Sequence, residues 1–276
     1  MKINLFSYQP ADPFQFNFGE LLMRHLLIRM GYCVDHYTSI RLPEEPKKQM
    51  LFGVGGMLNT RYYGQVRKMM DGKIDVWGTG YDAKLRPEYV LKSTDPFNIH
   101  MVRGPVTRKL YGLPESIPLG DPGYLTSMFW NPPARSSSEV LFVKFYWDEH
   151  PPKLKGITKV VDTLLIGTPK TMELQLDSII ADIASARMVF SSSMHGCIVA
   201  HSFGVPWCIT PKSNIDIPSE GKWNDIFRAI DGRFEWVSPR TTFTEAKHWW
   251  KKYGARLKVI DKNYQESLIE AFPYDS

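Results

Sequence analysis

The stretch ARMVFSSSMHGCIVAHSFGVP, residues 186–206, sets one histidine where a buried strand should turn into a buried helix. Arg187 to Phe190 is a short apolar run of strand type, and Ser191, Ser192 and Ser193 offer both a turn and the cap of a following helix. From Met194 onward, Cys197, Ile198, Val199 and Ala200 make a nearly all-apolar helix, stopped by Gly204 before Pro206. His195 then lies in the first helical turn. A helix N-terminus carries unsatisfied N–H groups and partial positive charge, so a histidine and three hydroxyls there make a seat for an anion beside an acid–base group. Strand carboxyl ends are also where ligands bind in open α/β sheets. The plainer alternative is a histidine packed under a strand end, with serines that only cap.

Other constellations recur at strand ends. Asn17, Phe18, Gly19 and Glu20 follow the first strand and open the first helix; Gly53, Val54, Gly55, Gly56 and Met57 follow another. The latter lacks the Lys and Ser/Thr of a nucleotide P-loop and the spacing of a dinucleotide fingerprint. Its glycines allow close approach of backbone to ligand. Trp77, Gly78, Thr79 and Gly80 repeat the device, and Arg103, before Gly104 and Pro105, brings a planar fork that can grip phosphate or carboxylate. Each alone also fits a turn or a surface salt bridge.

The elements that must position these residues read as α/β. Short strand runs at Ile3 to Phe6, Val34 to Tyr37, Leu51 to Val54, Ile74 to Trp77 and Ile99 to Val102 alternate with helical patterns at Leu21 to Arg29 and Pro105 to Tyr111. NPPARSSS, residues 131–138, is the linker candidate, dividing an N-terminal α/β domain (1–130) from a C-terminal one (139–276). The second series is Val140 to Phe145, Val161 to Ile166, a helix from Leu174 to Ser185, Met188 to Ser191, the His195 helix and Trp207 to Thr210. A helical tail from Thr244 to Phe272 carries Trp249, Trp250, Lys251 and Lys252, read as core packing with a solvated edge.

Composition narrows the partners. With 276 residues, a formal charge of +5 and no block of consecutive Lys and Arg, the chain suits an anionic substrate or an anionic membrane surface and not nucleic acid. Cys33, Cys197 and Cys208 are an odd number without zinc-ligand spacing, the pattern of reduced core cysteines in a cytoplasmic protein. Met1 to Ser7 reads as strand and not as signal peptide. No segment approaches the roughly 18 apolar residues of a spanning helix, so any membrane contact is expected to be peripheral, at the inner face.

In this order, with Gly120, Asp121 and Pro122 between the Arg103 turn and the His195 segment, the elements resemble the polysaccharide pyruvyl transferase family. The likeness consists of an Asn-Phe-Gly-acid element, a glycine-rich turn, an arginine at a strand end, an Asp-Pro pair, and a His-Gly turn with an apolar helix ending in Gly-Val-Pro. It spans Asn17 to Pro206, and the His195 segment is its most specific part. Two positions depart from the family. Glu20 stands where relatives usually carry Asp, and Ser193 stands where many carry an arginine that helps hold the donor.

The resemblance implies two Rossmann-like domains facing a cleft, similar to the two-domain (GT-B-like) glycosyltransferase fold. It implies transfer of pyruvate from phosphoenolpyruvate to sugar hydroxyls of a capsule or exopolysaccharide precursor, forming a ketal. His195 suits the general acid or base role. Arg103, Asn17, Glu20, Gly55, Gly56, Asn59, Lys144, Ser192, Ser193 and Lys222 are the candidate substrate-binding residues. Without an arginine at position 193, Arg103, Lys144, Arg187 or Lys222 must meet the donor's charge. The scheme calls for no metal and no cofactor, and its acceptor is a sugar or lipid-linked oligosaccharide. Two other readings fit the same features. One is a glycosyltransferase with a nucleotide-sugar donor; the other is a non-catalytic glycan-binding protein whose Trp77, Trp130 and Trp223 stack on sugar rings.

Overall fold

The computed structural model describes residues 1–9, 12, 14–38, 40–81, 87–132, 138–146, 156–210, 220–231 and 242–274. In chain order the first half contains β1 (Lys2–Phe6), β2 (Gln15–Asn17), α1 (Phe18–Arg29), β3 (Cys33–Tyr37), β4 (Lys47–Phe52), α2 (Thr60–Val66), β5 (Met70–Trp77), β6 (Phe97–Met101), α3 (Pro105–Leu110) and α4 (Thr126–Phe129). The second contains β7 (Val140–Lys144), β8 (Lys159–Asp162), β9 (Leu164–Ile166), α5 (Pro169–Ser185), β10 (Met188–Ser191), α6 (Met194–Ser202), β11 (Trp207–Ile209), α7 (Glu220–Ala229), α8 (Phe243–Tyr253) and α9 (Lys262–Glu270).

Two parallel sheets carry the architecture, one ordered β3-β1-β4-β5-β6 and the other β11-β10-β7-β8. Their inner strands are covered on both faces and need no polar alternation: Val140 to Val143 of β7 and Met188 to Ser191 of β10 are all buried. Each sheet starts near its middle, lays its second strand on one side and its third on the other. The reversal falls between β1 and β4 in the first sheet and between β7 and β10 in the second. Connections leaving the carboxyl ends of such strands diverge and open a crevice, the usual ligand position in open α/β sheets.

The halves are tied together. β2 pairs antiparallel with β9, from Gln15 opposite Ile166 to Asn17 opposite Leu164, and the Phe18 N–H donates to the Thr163 carbonyl (2.9 Å). One hydrophobic core includes Leu5 and Leu51 of the first sheet, Leu26 of α1, Ile180 of α5, Val199 of α6 and Val189 of the second sheet. The residues from α9 onward return to the first half, where Trp77 Nε1–H donates to the Leu268 carbonyl (2.9 Å) and the Tyr274 hydroxyl to Asp75 Oδ2 (2.9 Å). No helix among the described residues is long and apolar enough to cross a membrane.

Several expectations are corrected. Cys33 opens the edge strand β3 and is exposed, so only Cys197 and Cys208 are core cysteines. The run Val161 to Ile166 is two strands broken at Thr163, whose N–H bonds to the Lys144 carbonyl (3.2 Å) while its own carbonyl takes Phe18. The tail is two helices, α8 and α9, separated around Leu257 to Asp261. Trp250 packs on Trp207 (ring centroids 5.5 Å), while Lys251 and Lys252 are exposed. Trp77, Trp130 and Trp223 are buried in the core, so none offers a face to a sugar ring. Most of the linker candidate, 133–137, lies outside the described residues.

Candidate functional site

The Asn17–Glu20 element divides its work residue by residue. Asn17 caps α1, its side chain accepting from the Gly19 N–H (3.1 Å), and Phe18 is fully buried. Gly19 lies against His195, so a Cβ there would overlap the imidazole. Glu20 then turns into the crevice. Gly55, at φ +83°, takes a left-handed turn that glycine favours, and a Cβ on it would stand 2.9 Å from Glu20 Oε1.

A cavity of about 290 Å³ occupies the crevice. Tyr8 beyond β1 and Gly55 to Met57 beyond β4 supply the first sheet's share, with Asn17 and Glu20 between them. Phe145 and Tyr146 beyond β7 supply the second sheet's share, and Lys222 of α7 and Arg61 and Tyr62 of α2 complete the wall. The strand-order reversals of both sheets thus contribute to one cavity.

Under this wall lies a cluster of buried ionisable groups. Asp121 Oδ1 accepts from the Gly123 N–H (2.8 Å), closing the turn that packs on α6. Its Oδ2 stands 3.7 Å from His195 Nε2, longer than a hydrogen bond. Neither atom has a hydrogen-bond partner among the described residues, and the same holds for the buried Glu20 Oε2 and Arg103 Nε. Native proteins leave few such atoms, and four near one cavity point to a site prepared for a ligand.

The same burial reshapes their acidities. Glu20 is pushed up to about 8 by desolvation, against the pull of Lys222 and the Tyr8 N–H. Asp121 rises to about 6 for the same reason, opposed by the Gly123 N–H, Arg103 and Lys222. His195 is pushed down to about 3 by burial and then by Lys222 and Arg103. At neutral pH the imidazole is neutral, Asp121 ionised and Glu20 protonated. Perturbed groups gathered at a cavity are a functional signature.

Several candidates lie elsewhere. Arg103 is fully buried and outside the cavity wall: Nη1 donates to the Gly55 carbonyl (2.9 Å), Nη2 to the Tyr81 carbonyl (2.6 Å), and Nη2 is 3.2 Å from Asp225 Oδ2. Its fork holds the glycine turn in place of a ligand. Asn59 caps α2 through Tyr62 N–H (3.0 Å) and donates to the Gly56 carbonyl (2.7 Å), again holding the turn from behind. Ser192 Oγ accepts from the Phe145 N–H (2.9 Å), and Ser191 Oγ donates to the Val143 carbonyl (3.0 Å) and accepts from the Ser193 N–H (3.0 Å). These serines stitch the turn to β7; Ser193 makes no side-chain cap bond, and Ser192 and Ser193 are buried outside the cavity wall. Lys144 pairs with Asp162 (2.7 Å), and Arg187 sits over Phe243 at the amino end of β10. Neither lines the cavity.

Asp225 of α7 is the residue the sequence patterns missed. It accepts from the N–H groups of Val106 (2.8 Å) and Thr107 (3.0 Å), free donors in the first turn of α3 behind Pro105. Gly104 makes room for it, since a Cβ there would overlap the Asp225 backbone. Lys222 stands three residues earlier on α7, so this anchor also sets Lys222 at the cavity. A lone Asp in an amphipathic helix carries no sequence signal of such a role. No group of His, Cys, Asp and Glu among the described residues is placed to hold a metal ion.

Among curated proteins no match is found. A solved structure of an uncharacterised protein, KP1_0663 of Klebsiella pneumoniae subsp. pneumoniae NTUH-K2044, is 14% identical, with 79% of this chain and 87% of that one covered and a TM-score of 0.43, too loose a likeness to carry an argument. The family model of polysaccharide pyruvyl transferases matches residues 4–210. That span runs from β1 to just past β11 and takes in Glu20 and the glycine turn of the cavity wall, with Asp121 and His195 buried beneath it. On this match the chain belongs to the polysaccharide pyruvyl transferase family.

Proposed function

We propose that the protein transfers the pyruvyl group of phosphoenolpyruvate to two hydroxyls of one sugar in a cell-surface polysaccharide precursor, closing a ketal. Glu20 is the observation that carries this reading: a buried carboxyl with Oε2 unpartnered, protonated up to about pH 8, in the wall of a cavity that also holds Lys222. Ketal formation from an enol phosphate begins with a proton delivered to the methylene carbon. A neutral imidazole pushed down to about 3 cannot supply it at neutral pH, so Glu20 is the acid and His195 the base.

Glu20 protonates the methylene carbon, and positive charge develops at the carbon bearing carboxylate and phosphate. A sugar hydroxyl adds there and loses its proton to His195, whose imidazole Asp121 orients from behind. Phosphate then leaves, and the second hydroxyl closes the ring. Of the two protons lost by the sugar, one replaces the proton Glu20 gave to carbon and the other departs with phosphate. Lys222 and the backbone at Gly55 and Gly56 hold the donor's charges. The two parallel sheets with their reversals on one cavity support a pair of Rossmann-like units similar to two-domain glycosyltransferases. Three unpaired cysteines support a cytoplasmic setting.

The test offers phosphoenolpyruvate and nucleotide sugars side by side with glycan acceptors, following released phosphate by ³¹P NMR and the ketal methyl by ¹H NMR. Acceptor-dependent phosphate release, lost in Glu20→Gln, is expected. Release of nucleoside diphosphate with phosphoenolpyruvate untouched would overturn the reading.

A further inference from the structure

We propose that the acceptor is a glycan of at least two rings, whose ring next to the pyruvylated one lies in the groove between α2 and residues 42–46. The proposal rests on the pyruvyl-transfer reading, and goes beyond it in naming how the acceptor extends. The cavity of about 290 Å³ has room for roughly ten waters. That space suits a three-carbon donor and the one ring it meets, so a longer acceptor must leave it. Arg61 in the cavity wall also lines a second concavity, of about 430 Å³. The two spaces therefore adjoin through one side chain.

The groove's chemistry fits an uncharged sugar. Arg61 contacts the Tyr62 ring (5.9 Å) and has no carboxylate partner among the described residues; Gln65, one helical turn on, has its Oε1 buried without a hydrogen bond among them. Lys68 follows at the end of α2, and Glu44 and Glu45 face it from the other wall. Two cations and two carboxylates cancel, which disfavours a nucleotide or a phospholipid headgroup as occupant. Between them lies apolar surface, including Leu42, left 59% exposed. A saccharide ring offers hydroxyl edges for such donors and acceptors and C–H faces for such surface.

The experiment uses the full chain on an array of immobilised gluco-, galacto- and N-acetylglucosamine oligosaccharides of one to five rings, with Gln65→Leu and Lys68→Glu beside the parent. Both variants lie outside the catalytic cavity, and the exposed Lys68 keeps the test open if Gln65→Leu fails to fold. Binding is expected to start at two rings or more and to fall about tenfold in either variant, the scale of one lost polar contact. With a bound oligosaccharide as acceptor, KM for the glycan should rise by a similar factor while kcat and KM for phosphoenolpyruvate hold. Equal binding of single rings, variants matching the parent, or no glycan held at all would overturn the groove. Phosphate release as efficient with a monosaccharide removes the groove and leaves pyruvyl transfer standing. Length-dependent, variant-sensitive binding without any turnover of phosphoenolpyruvate keeps the groove and removes the transfer.

Discussion

The imidazole of His195 fills the space that a side chain at position 19 would need. Gly19 belongs to the first turn of α1 and His195 to the first turn of α6, so a missing side chain in one half seats the ring of the other. Glu20, the next residue, lies in the cavity wall.

Gly19→Ala is expected to force His195 or α1 aside. Overpacking of this kind costs about 1–3 kcal/mol, and the displaced ring should lower kcat by at least ~10²-fold. Gly64→Ala is the stability control, because nothing lies within 4 Å of a Cβ there and the position is helical. It should leave the urea midpoint unchanged or raise it. Equal urea midpoints and kcat for Gly19→Ala and the parent would show that the ring has room to spare.

Glu20→Gln should lower kcat by about 10²-fold or more and remove an alkaline limb near pH 8, where the parent loses the proton it must donate. Stability should report the same group. Between its ordinary value of 4.5 and about 8, folded Glu20 holds a proton that the unfolded chain has lost. Parental stability therefore falls as pH rises through that window, by on the order of a few kcal/mol, and Glu20→Gln flattens the slope. A parent and variant with parallel stability–pH curves would place the carboxyl in water.

How far the sequence announces this arrangement depends on range. Strands such as β7 and β10 are continuous apolar runs between breakers, and Asn17 and Pro105 mark helix starts by local chemistry, so most of the parallel elements are legible. What sequence cannot show is which polar groups the backbone claims. Arg103 and Ser192 look like ligand contacts from their place at strand ends, yet carbonyls and an N–H from distant segments take them. Asp225 works through α3, more than a hundred residues away in the chain, and leaves no local pattern. Glu20 is legible as a carboxylate at a strand end, but its protonation comes from burial that only the assembled halves create.

Arg103→Lys tests that reassignment. One ammonium cannot serve the Gly55 and Tyr81 carbonyls and Asp225 together, so the variant should lose stability, with about 3–5 kcal/mol for Arg103→Ala, which strands Asp225. Asp225→Asn should be destabilised as well, and the pair should be non-additive in a double-mutant cycle. If Arg103→Lys keeps the parental urea midpoint and raises only KM for phosphoenolpyruvate, the guanidinium meets the donor after all.

Asp121→Asn separates orientation from folding. The amide keeps an oxygen for the Gly123 N–H but can turn an N–H₂ toward His195 Nε2, which favours the imidazole tautomer with its proton on Nδ1. A base presented in the wrong tautomer should lower kcat by about 10²-fold or more. The fold should not suffer. Asp121 holds its proton to about 6, well above its ordinary 3.8, so the parent loses stability as pH rises between those values, and Asn removes that loss. At pH 7 the variant should therefore be at least as stable as the parent while far slower. In a His195→Ala background the same change should cost little further rate, since Asp121 acts through the ring it faces. Full additivity of the two substitutions in kcat would mean that Asp121 works independently of His195.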